Sequence, residues 1–451
     1  MLDSSTLETN MRSSSAGLRA ILLLITGVVS TFAQPSEPPK YTGPGSCASP
    51  SCHGAVQVKS DTSVQQNEYA IWVVKDKHAR AYANLSNDIA KRMARLMGLK
   101  SPDQEPRCLA CHALSVPDDQ RARTFDSTDG VSCESCHGPA SNWLGPHTTK
   151  GWTHQQSIQE GMKDLRDPAN RAENCLQCHL GTKDRNVDHE LIAAGHPDLY
   201  FELASFSAAM PKHWKEIGEK PNQTPDPYFD VRALAASQAV HLRDQLARVA
   251  RNAQGNIWPE YADLDCFACH HSLVSTDQSW QQQRGYDGRR PGNPPWNLSR
   301  FVVFKQVVNE IDPASSAQLD ANISRLYSMI TALNSDRTQV AALATSTSAQ
   351  IAQLVPKMTA ASYDQPRTLR MMKAIVADTD YITRQGERPA EQALMALQSL
   401  YNAYASKGKP ANDSQIQDAI NAMFKAVESP SAYNAFTFAD LMKAFGRLLP
   451  S

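Results

Sequence analysis

The chain has 451 residues, and its 45 Lys and Arg against 46 Asp and Glu give a formal net charge of -1 at neutral pH. This length is sufficient for two or three domains. The near-neutral charge argues against a nucleic-acid partner, because binding nucleic acid requires a strongly basic face.

The N-terminal residues have the organisation of an export signal. Two arginines precede an apolar run over residues 20–30, and a small-residue cleavage sequence occupies residues 31–33. The apolar run is too short to span a bilayer comfortably, so an uncleaved anchor is the less favoured alternative. We therefore predict a signal peptide over residues 1–33, an extended linker over 34–46, and a mature protein that is periplasmic or otherwise exported and not integral to a membrane.

The ten cysteines of the chain form five pairs, and a histidine follows every pair. Four pairs have the spacing C-x-x-C-H, which is typical of c-type haem attachment. Two thiols on one short turn reach the two vinyl groups of a haem, and the next histidine lies under the iron as an axial ligand. The first pair has the wider spacing C-x-x-x-x-C-H. The five motifs are Cys47/Cys52/His53, Cys108/Cys111/His112, Cys133/Cys136/His137, Cys175/Cys178/His179 and Cys266/Cys269/His270.

Two other interpretations apply to these cysteines. A zinc site would use two C-x-x-C units as the four ligands of one metal, without need of a histidine after each pair. Five motifs with no cysteine left over favour haem instead. A structural disulfide could also join Cys47 and Cys52, but the trailing His53 favours a haem there too. The sequence thus predicts five covalently bound haems c.

Helices are predicted along much of the haem-bearing region. Residues 68–97 are expected to form a helix that is interrupted near Asp76, and a charged helical segment is expected over 158–173. Residues 230–253 have a broad apolar stripe at helical spacing. Residues 130–147 contain glycines and prolines that exclude a long helix.

The chain changes character after the last motif. Residues 300–451 contain no cysteine or histidine and are rich in alanine and leucine. Two apolar stripes at helical spacing predict surface helices that face a core. They are Leu319, Ile323, Leu326, Ile330 and Leu333, and Ile416, Ile420, Met423, Phe424 and Val427. A bundle of about five or six helices would fit this length. It would serve as a scaffold or, less favoured, as a docking module.

Histidines outside the motifs decide whether the haems carry electrons or catalyse a reaction. A second axial histidine closes an iron and suits it to electron transfer, whereas an open position allows a small molecule to bind. Eight such histidines are available for five irons. They are His78, His147, His154, His189, His196, His213, His241 and His271.

Three stretches give the chain a resemblance to the tetrahaem cytochrome c family of ammonia-oxidising bacteria, the electron acceptor of hydroxylamine oxidoreductase. Residues 52–81 include the first motif's Cys-His, a tryptophan and a His-Ala pair. Residues 130–147 read GVSCESCHGP and end in Gly-Pro-His, and residues 173–179 contain the fourth motif. The resemblance covers roughly residues 45–180. It implies that His78 and His147 are distal ligands of neighbouring haems.

The sequence departs from that family in four respects. The first motif is widened, a fifth motif is added, and residues 300–451 have no counterpart. The family's distal histidine before the fourth motif is also missing, since residues 164–174 contain none. That ligand must come from elsewhere if the iron is closed, and the nearest histidines in sequence are His154, His189 and His196.

The remaining histidines differ in the support that they have. His196 is favoured over His189 because Gly195 and Pro197 hold it rigidly, whereas the acidic neighbours of His189 could simply pair with it. His271 directly follows an axial histidine and either ligates an adjacent haem or is plainly exposed. The other three, His154, His213 and His241, are expected to be polar surface or propionate contacts, although His241 on its helix could be a ligand.

These observations predict a mainly α protein with a pentahaem cytochrome c domain over residues 47–299 and a haem-free helical domain over 300–451. We expect an electron carrier that connects redox partner proteins through mostly bis-histidine haems, with possible docking through residues 300–451. The alternative is an oxidoreductase that acts on hydroxylamine, nitrite or NO at one open haem. Every motif here ends in histidine, whereas the relevant nitrite reductases use a C-x-x-C-K site. This difference makes the alternative less favoured.

Overall fold

The computed structural model describes residues 38–59, 64–214, 225–271, 284 and 294–450. The predicted signal peptide lies outside these residues, as does part of the predicted linker. The described fold is mainly α, as the sequence predicts. Apart from helices and turns, it contains two isolated bridges, Tyr41 with Arg121 and Leu264 with Trp296. Within the described ranges, no helix combines the length and apolarity that crossing a bilayer requires.

The region that contains the five cysteine motifs has nine α-helices among the described residues, joined by irregular backbone and single 3-10 turns. Most are short, and α9 is by far the longest. They are α1 (Glu68–Lys75), α2 (Asp88–Leu96), α3 (Pro106–His112), α4 (Cys133–His137), α5 (His154–Gln159), α6 (Pro168–His179), α7 (His189–Ala193), α8 (Leu203–Ala209) and α9 (Phe229–Gln254).

The break predicted near Asp76 separates α1 from a 3-10 turn that carries His78. Asp76 has extended backbone, and its carboxylate accepts the His78 amide at 3.0 Å. An aspartate that satisfies a following amide in this way ends one helix and begins the next turn. The turn therefore holds the backbone of His78 next to Asp76, which is also the partner of the His78 imidazole.

The helix predicted over residues 158–173 is confirmed at its two ends but is broken between them. In the structure α5 ends at Gln159 and α6 begins at Pro168, so the intervening residues are not helical. Gly161 has a φ of +105°, which is outside the helical region. Asp167 then caps α6 by accepting the amides of Ala169 and Asn170, with Pro168 at the first helical position.

Eight α-helices follow between residues 299 and 448, more than the five or six expected. One of them, α14, is a short helix of five residues. They are α10 (Ser299–Ile311), α11 (Pro313–Ile330), α12 (Arg337–Ala360), α13 (Gln365–Ala377), α14 (Thr379–Thr383), α15 (Glu387–Ala405), α16 (Asp413–Val427) and α17 (Ala435–Leu448).

The predicted apolar stripes of α11 and α16 are mostly buried. Four residues of the first stripe and four of the second are at most 7% exposed, and Phe424 packs against the core while partly buried. Leu333 is the exception, with 82% exposure. Its side chain does not reach the core because α11 already ends at Ile330, so the helical spacing no longer applies three residues later.

One hydrophobic core crosses the predicted boundary at residue 300. It extends from Ala169 to Leu449, and α9 lies at its centre, packed along α12 and against α6, α8, α10 and α15. The described residues from Pro39 onward accordingly form one compact unit. Whether the two predicted domains fold independently stays a prediction, but the helical region supplies the surface that buries α9.

Candidate functional site

The cysteine pairs and their histidines lie on short helices or turns. The helices α3, α4 and α6 all end at the histidine of a motif, and the fifth motif begins on a 3-10 turn at Cys266. In the fifth motif the His270 amide donates to the Cys266 carbonyl at 2.8 Å. A one-turn helix of this kind presents both thiols and the following imidazole on one side.

The fifth motif differs from the others in exposure and in backbone, which the sequence did not indicate. Cys266 and Cys269 are both exposed, whereas the other eight cysteines are half-buried. The 3-10 turn ends at Ala268, so Cys269 lies one residue beyond it, and its amide donates to the Cys266 carbonyl at 3.2 Å. The two cysteines of the fifth motif still share one turn, because the amides of Cys269 and His270 both donate to the Cys266 carbonyl. Haem attachment at all five motifs stays a prediction.

The widened first motif reaches the same arrangement through a loop. The His53 amide donates to the Cys47 carbonyl at 3.2 Å, so the two additional residues bulge out between them. Gly54 makes this close packing feasible, because a Cβ at residue 54 would lie 1.9 Å from the Ala48 carbonyl oxygen. The backbone bond therefore joins the first cysteine to the histidine, as it does in the fifth motif.

All ten cysteines lie within the described residues and are free of disulfide bonds, including Cys47 and Cys52. Thiols of different motifs nevertheless approach one another. A hydrogen bond with Cys133 lowers the pKa of Cys47, and a hydrogen bond with Cys111 lowers the pKa of Cys178 to about 7. The fold thus brings the first motif beside the third and the second beside the fourth.

Four motif histidines each face a histidine from outside the motifs. The ring centres are separated by 6.2 Å for His53 and His147, 6.3 Å for His179 and His78, 6.4 Å for His112 and His196, and 6.1 Å for His270 and His189. The planes of these rings are nearly parallel in the first pair, at 10°, and nearly perpendicular in the second and third, at 84° and 85°.

These separations fit an iron held between two imidazoles. Each metal–nitrogen bond of histidine is about 2 Å long, and each nitrogen lies ~1.1 Å from its ring centre, so two ligands in line place their ring centres about 6.2 Å apart. Hydrogen-bonded or stacked rings would have no reason to share this one value across four pairs with different interplanar angles. The donor set and its spacing therefore suit axial ligation of haem iron.

Hydrogen bonds at Nδ1 orient several of these imidazoles. The Nδ1 atoms of His112, His147 and His196 lie 2.7–2.9 Å from backbone carbonyl oxygens. Those of His53 and His78 lie 3.0 and 2.9 Å from the carboxylates of Glu68 and Asp76. A metal-binding histidine commonly donates its second N–H in this way, which fixes the ring and leaves Nε2 for the metal.

The pKa values of the imidazoles follow their surroundings. Burial lowers the pKa of both His137 and His179 to about 4. The second cause is His213 for His137 and His78 for His179. Both rings are therefore neutral at pH 7, the form that binds a metal. The hydrogen bond to Glu68 raises the pKa of His53, and that to Asp76 raises the pKa of His78.

His137 of the third motif lacks a ring partner at this spacing among the described residues. His213, expected to be a surface or propionate contact, is the imidazole with the greatest influence on its pKa. The Nδ1 of His213 lies 3.4 Å from the Pro211 carbonyl.

The three other histidines are arranged differently. His154 places Nε2 itself 3.1 Å from Asp164. His241 is 2% exposed, and its Nε2 has no hydrogen-bond partner within the part of the chain that the structure describes. His271 is half-buried and belongs to none of the four pairs.

Glu134, inside the third motif, is a structural residue that sequence reasoning missed. It is 1% exposed, and its carboxylate accepts the backbone amides of Thr42 at 2.9 Å, Gly43 at 2.7 Å and Ala140 at 2.8 Å. The lead-in before the first motif is thereby fixed to the third. Glu68 was also missed, since no sequence signal connects it to His53; the Asp-x-His spacing of Asp76 and His78 could have been recognised.

Part of the chain is similar to known cytochromes. Residues 46–138 match the family described as Cytochrome c554 and c-prime. Over this segment the chain is cytochrome c-554-like, and it resembles a multihaem c-type cytochrome, as the sequence predicts.

One relative is the protein named Cytochrome c-554 from Nitrosomonas europaea, 32% identical over 114 residues. The alignment covers 23% of this chain and 48% of the relative, so the chain spans about half the length of the curated relative that it matches. No solved structure matches the chain significantly.

Proposed function

We propose that this protein is an exported electron carrier, with five haems c attached at the five motifs and passing electrons between a donor and an acceptor protein. The four histidine pairs with ring centres 6.1–6.4 Å apart carry this proposal. A haem iron with two histidine ligands is closed to small molecules and changes oxidation state without exchanging a ligand.

In this proposal each cysteine pair holds one haem, and each iron has one motif histidine and one distal histidine. The distal ligands are His147 for the first motif, His196 for the second, His78 for the fourth and His189 for the fifth. For the third motif we propose His213, the imidazole with the greatest influence on the pKa of His137. The sequence-based assignment of His271 as a ligand stays a prediction.

The thiol contacts support a path for electrons within the protein. The thiol of Cys133 has the largest influence on the pKa of Cys47, and the thiol of Cys111 has the largest influence on the pKa of Cys178, so these motifs lie beside each other in pairs. Attached haems would therefore lie close together in two groups, first with third and second with fourth. At these four sites the chain would set the distance between the haems and the orientation of each haem. It would also exclude part of the water, since the four motif histidines are half-buried.

The fifth haem would be the one most open to solvent. Cys266, Cys269 and His270 are all exposed, in contrast to the corresponding residues of the other four motifs. A haem edge at the surface is where a partner protein could approach closely enough to exchange electrons. The exposure of this pair thus supports the fifth site as an entry or exit point of the carrier.

Export and docking belong to the same proposal. Haem c is attached outside the cytoplasm, which agrees with the predicted signal peptide and a periplasmic location.

Residues 300–451 act mainly as the scaffold that buries α9, and a docking role for their outer surface is secondary. Partner capture with wild-type protein and with exposed-face variants of α13 and α17 would separate these roles, since only a docking surface loses its partner.

The decisive experiment is low-temperature electron paramagnetic resonance of the oxidised holoprotein, integrated by spin state. We expect low-spin ferric signals that account for all five haems. Nearly parallel imidazole planes split the iron d orbitals more than perpendicular ones, so the first haem should give a rhombic signal and the second and fourth a strongly anisotropic one. A mass corresponding to five attached haems is the matching control.

The alternative function, oxidation or reduction of a small nitrogen compound, requires one open iron. The third motif is where such a site would lie, because His137 is the motif histidine without a close ring partner in the described part of the chain. A high-spin component near one haem equivalent, lost on adding nitrite or NO, would replace the carrier proposal with this one.

A further inference from the structure

We propose that Glu68 and Asp76 hold the haems of the first and fourth motifs at lower reduction potentials than the haem of the second motif. This inference rests on the proposed function, since it assumes that the paired histidines bind iron. It goes further because it assigns to two carboxylates the lowering of a haem's reduction potential, and it orders three of the haems by that potential.

Glu68 is built into the first site. One carboxylate oxygen lies 3.0 Å from His53 Nδ1, and the other accepts the amides of Gln65 at 2.7 Å and Gln66 at 3.1 Å. The Glu68 side chain is 15% exposed. The backbone amides thus hold the carboxylate in one place, and the imidazole is its remaining polar partner among these contacts.

Asp76 has the same relation to the distal histidine of the fourth site. Its Oδ1 lies 2.9 Å from His78 Nδ1 and accepts the His78 amide at 3.0 Å. Its side chain is 4% exposed, and Oδ2 is buried without a hydrogen-bond partner among the described residues. The negative charge is therefore poorly compensated by other groups, and the imidazole N–H receives most of its effect.

The second site is different because both of its imidazoles meet neutral acceptors. His112 Nδ1 lies 2.9 Å from the Ala81 carbonyl, and His196 Nδ1 lies 2.7 Å from the Pro197 carbonyl. Hydrogen bonds to carboxylates are stronger than those to neutral carbonyls. The three sites therefore have the same kind of ligand and differ in the charge of the group that accepts its Nδ1–H.

A charged acceptor makes the imidazole a more basic ligand. The more basic ligand stabilises ferric over ferrous iron, and the nearby negative charge acts in the same direction in a site of low dielectric. Both effects make the iron harder to reduce. Electrons that enter the protein should accordingly rest on the second haem before they rest on the first or fourth.

The test is a visible-absorbance redox titration of the holoprotein and of Glu68→Gln and Asp76→Asn. Each variant keeps the oxygen that accepts backbone amides and removes the charge. We expect one of the five components to shift to higher potential in each variant, with a changed low-spin g value for the same haem. Asp164→Asn is the matched control, because Asp164 bonds to Nε2 of His154, which is not a proposed ligand.

The outcomes separate this inference from the proposed function. Unchanged or lowered potentials in both variants, with five low-spin haems retained, would overturn the tuning role and leave the carrier function intact. Fewer than five low-spin haems in the wild-type protein would instead contradict the proposed ligation. The rise in potential tests the charge of the carboxylate, and the g value identifies which haem is affected. A carboxylate that only oriented the imidazole would change the g value without raising the potential.

Discussion

The amide of His53 donates to the carbonyl of Cys47 across six residues of chain, and this bond returns the widened first motif to the backbone arrangement of an ordinary one. The loop between them adds length without separating the first cysteine from the histidine. The wider spacing therefore remains compatible with haem attachment.

Removing both thiols of the first motif should remove one haem. We expect the Cys47→Ala/Cys52→Ala variant to carry four haems by intact-mass measurement, with the nearly parallel-ligand signal missing from its paramagnetic spectrum. Cys108→Ala/Cys111→Ala, in an ordinary motif, is the positive control. Five haems in the first variant would show that this pair is not an attachment site.

Replacing one distal histidine should open one iron. We expect His213→Ala to produce about one haem equivalent of high-spin signal, because His137 would then lack its proposed partner. His154→Ala should produce none, since Nε2 of His154 is bonded to Asp164. If His213→Ala keeps a fully low-spin spectrum, the third iron has another ligand.

Protein made without haem attachment should lose structure unevenly. The described residues between 46 and 138 contribute nothing to the main hydrophobic core, which begins at Ala169, so their order depends on the cofactors. We expect fast hydrogen exchange over residues 46–138 and slow exchange over α9 and α12. Protection of α9 would show that its order comes from the hydrophobic core and not from the haems. Equal exchange in both regions would contradict it.

Glu134 should be essential for stability. Its carboxylate accepts three backbone amides in a buried site, and Glu134→Gln would bring an NH2 group against these donors. We expect a loss of about 2 kcal/mol or more in the free energy of unfolding. Glu160→Gln, at an exposed position, should change it little. Denaturant unfolding of both variants, with haem content matched, measures the difference.

Glu387 should make the stability depend on pH. Burial raises its pKa to about 7 from the usual 4.5, while Arg388 beside it opposes the shift. The folded state therefore favours the protonated acid, so its contribution is complete below pH 4.5 and is lost as the pH rises toward 7. The loss should be roughly 3 kcal/mol.

Thermal unfolding of Glu387→Gln between pH 4.5 and 8 checks this expectation. The variant should show a flatter dependence on pH than the wild type over that range. Glu428→Gln, at an exposed site in the same C-terminal region of the chain, should retain the wild-type slope. A variant curve parallel to that of the wild type would assign the pH dependence to other groups.

The local features of this chain were predictable and the long-range ones largely were not. Apolar spacing predicted α9 to within one residue at each end, because a long amphipathic pattern has few alternatives. The resemblance indicated His78 and His147. The irregular segments determine the pairing of His189 with His270 and the contacts of Glu68 and His213. These segments fold back around cofactors, and the spacing of apolar residues does not predict how they do so.

The central position of α9 also bears on the order in which the protein is made. All five motifs precede residue 271, whereas the helices that cover α9 from the C-terminal side lie after residue 298. In a chain that is translocated from its N-terminus, every motif emerges before that cover exists. The attachment machinery would thus meet five accessible cysteine pairs on a chain that has not yet collapsed, and completion of the last helices would close the structure around haems already in place.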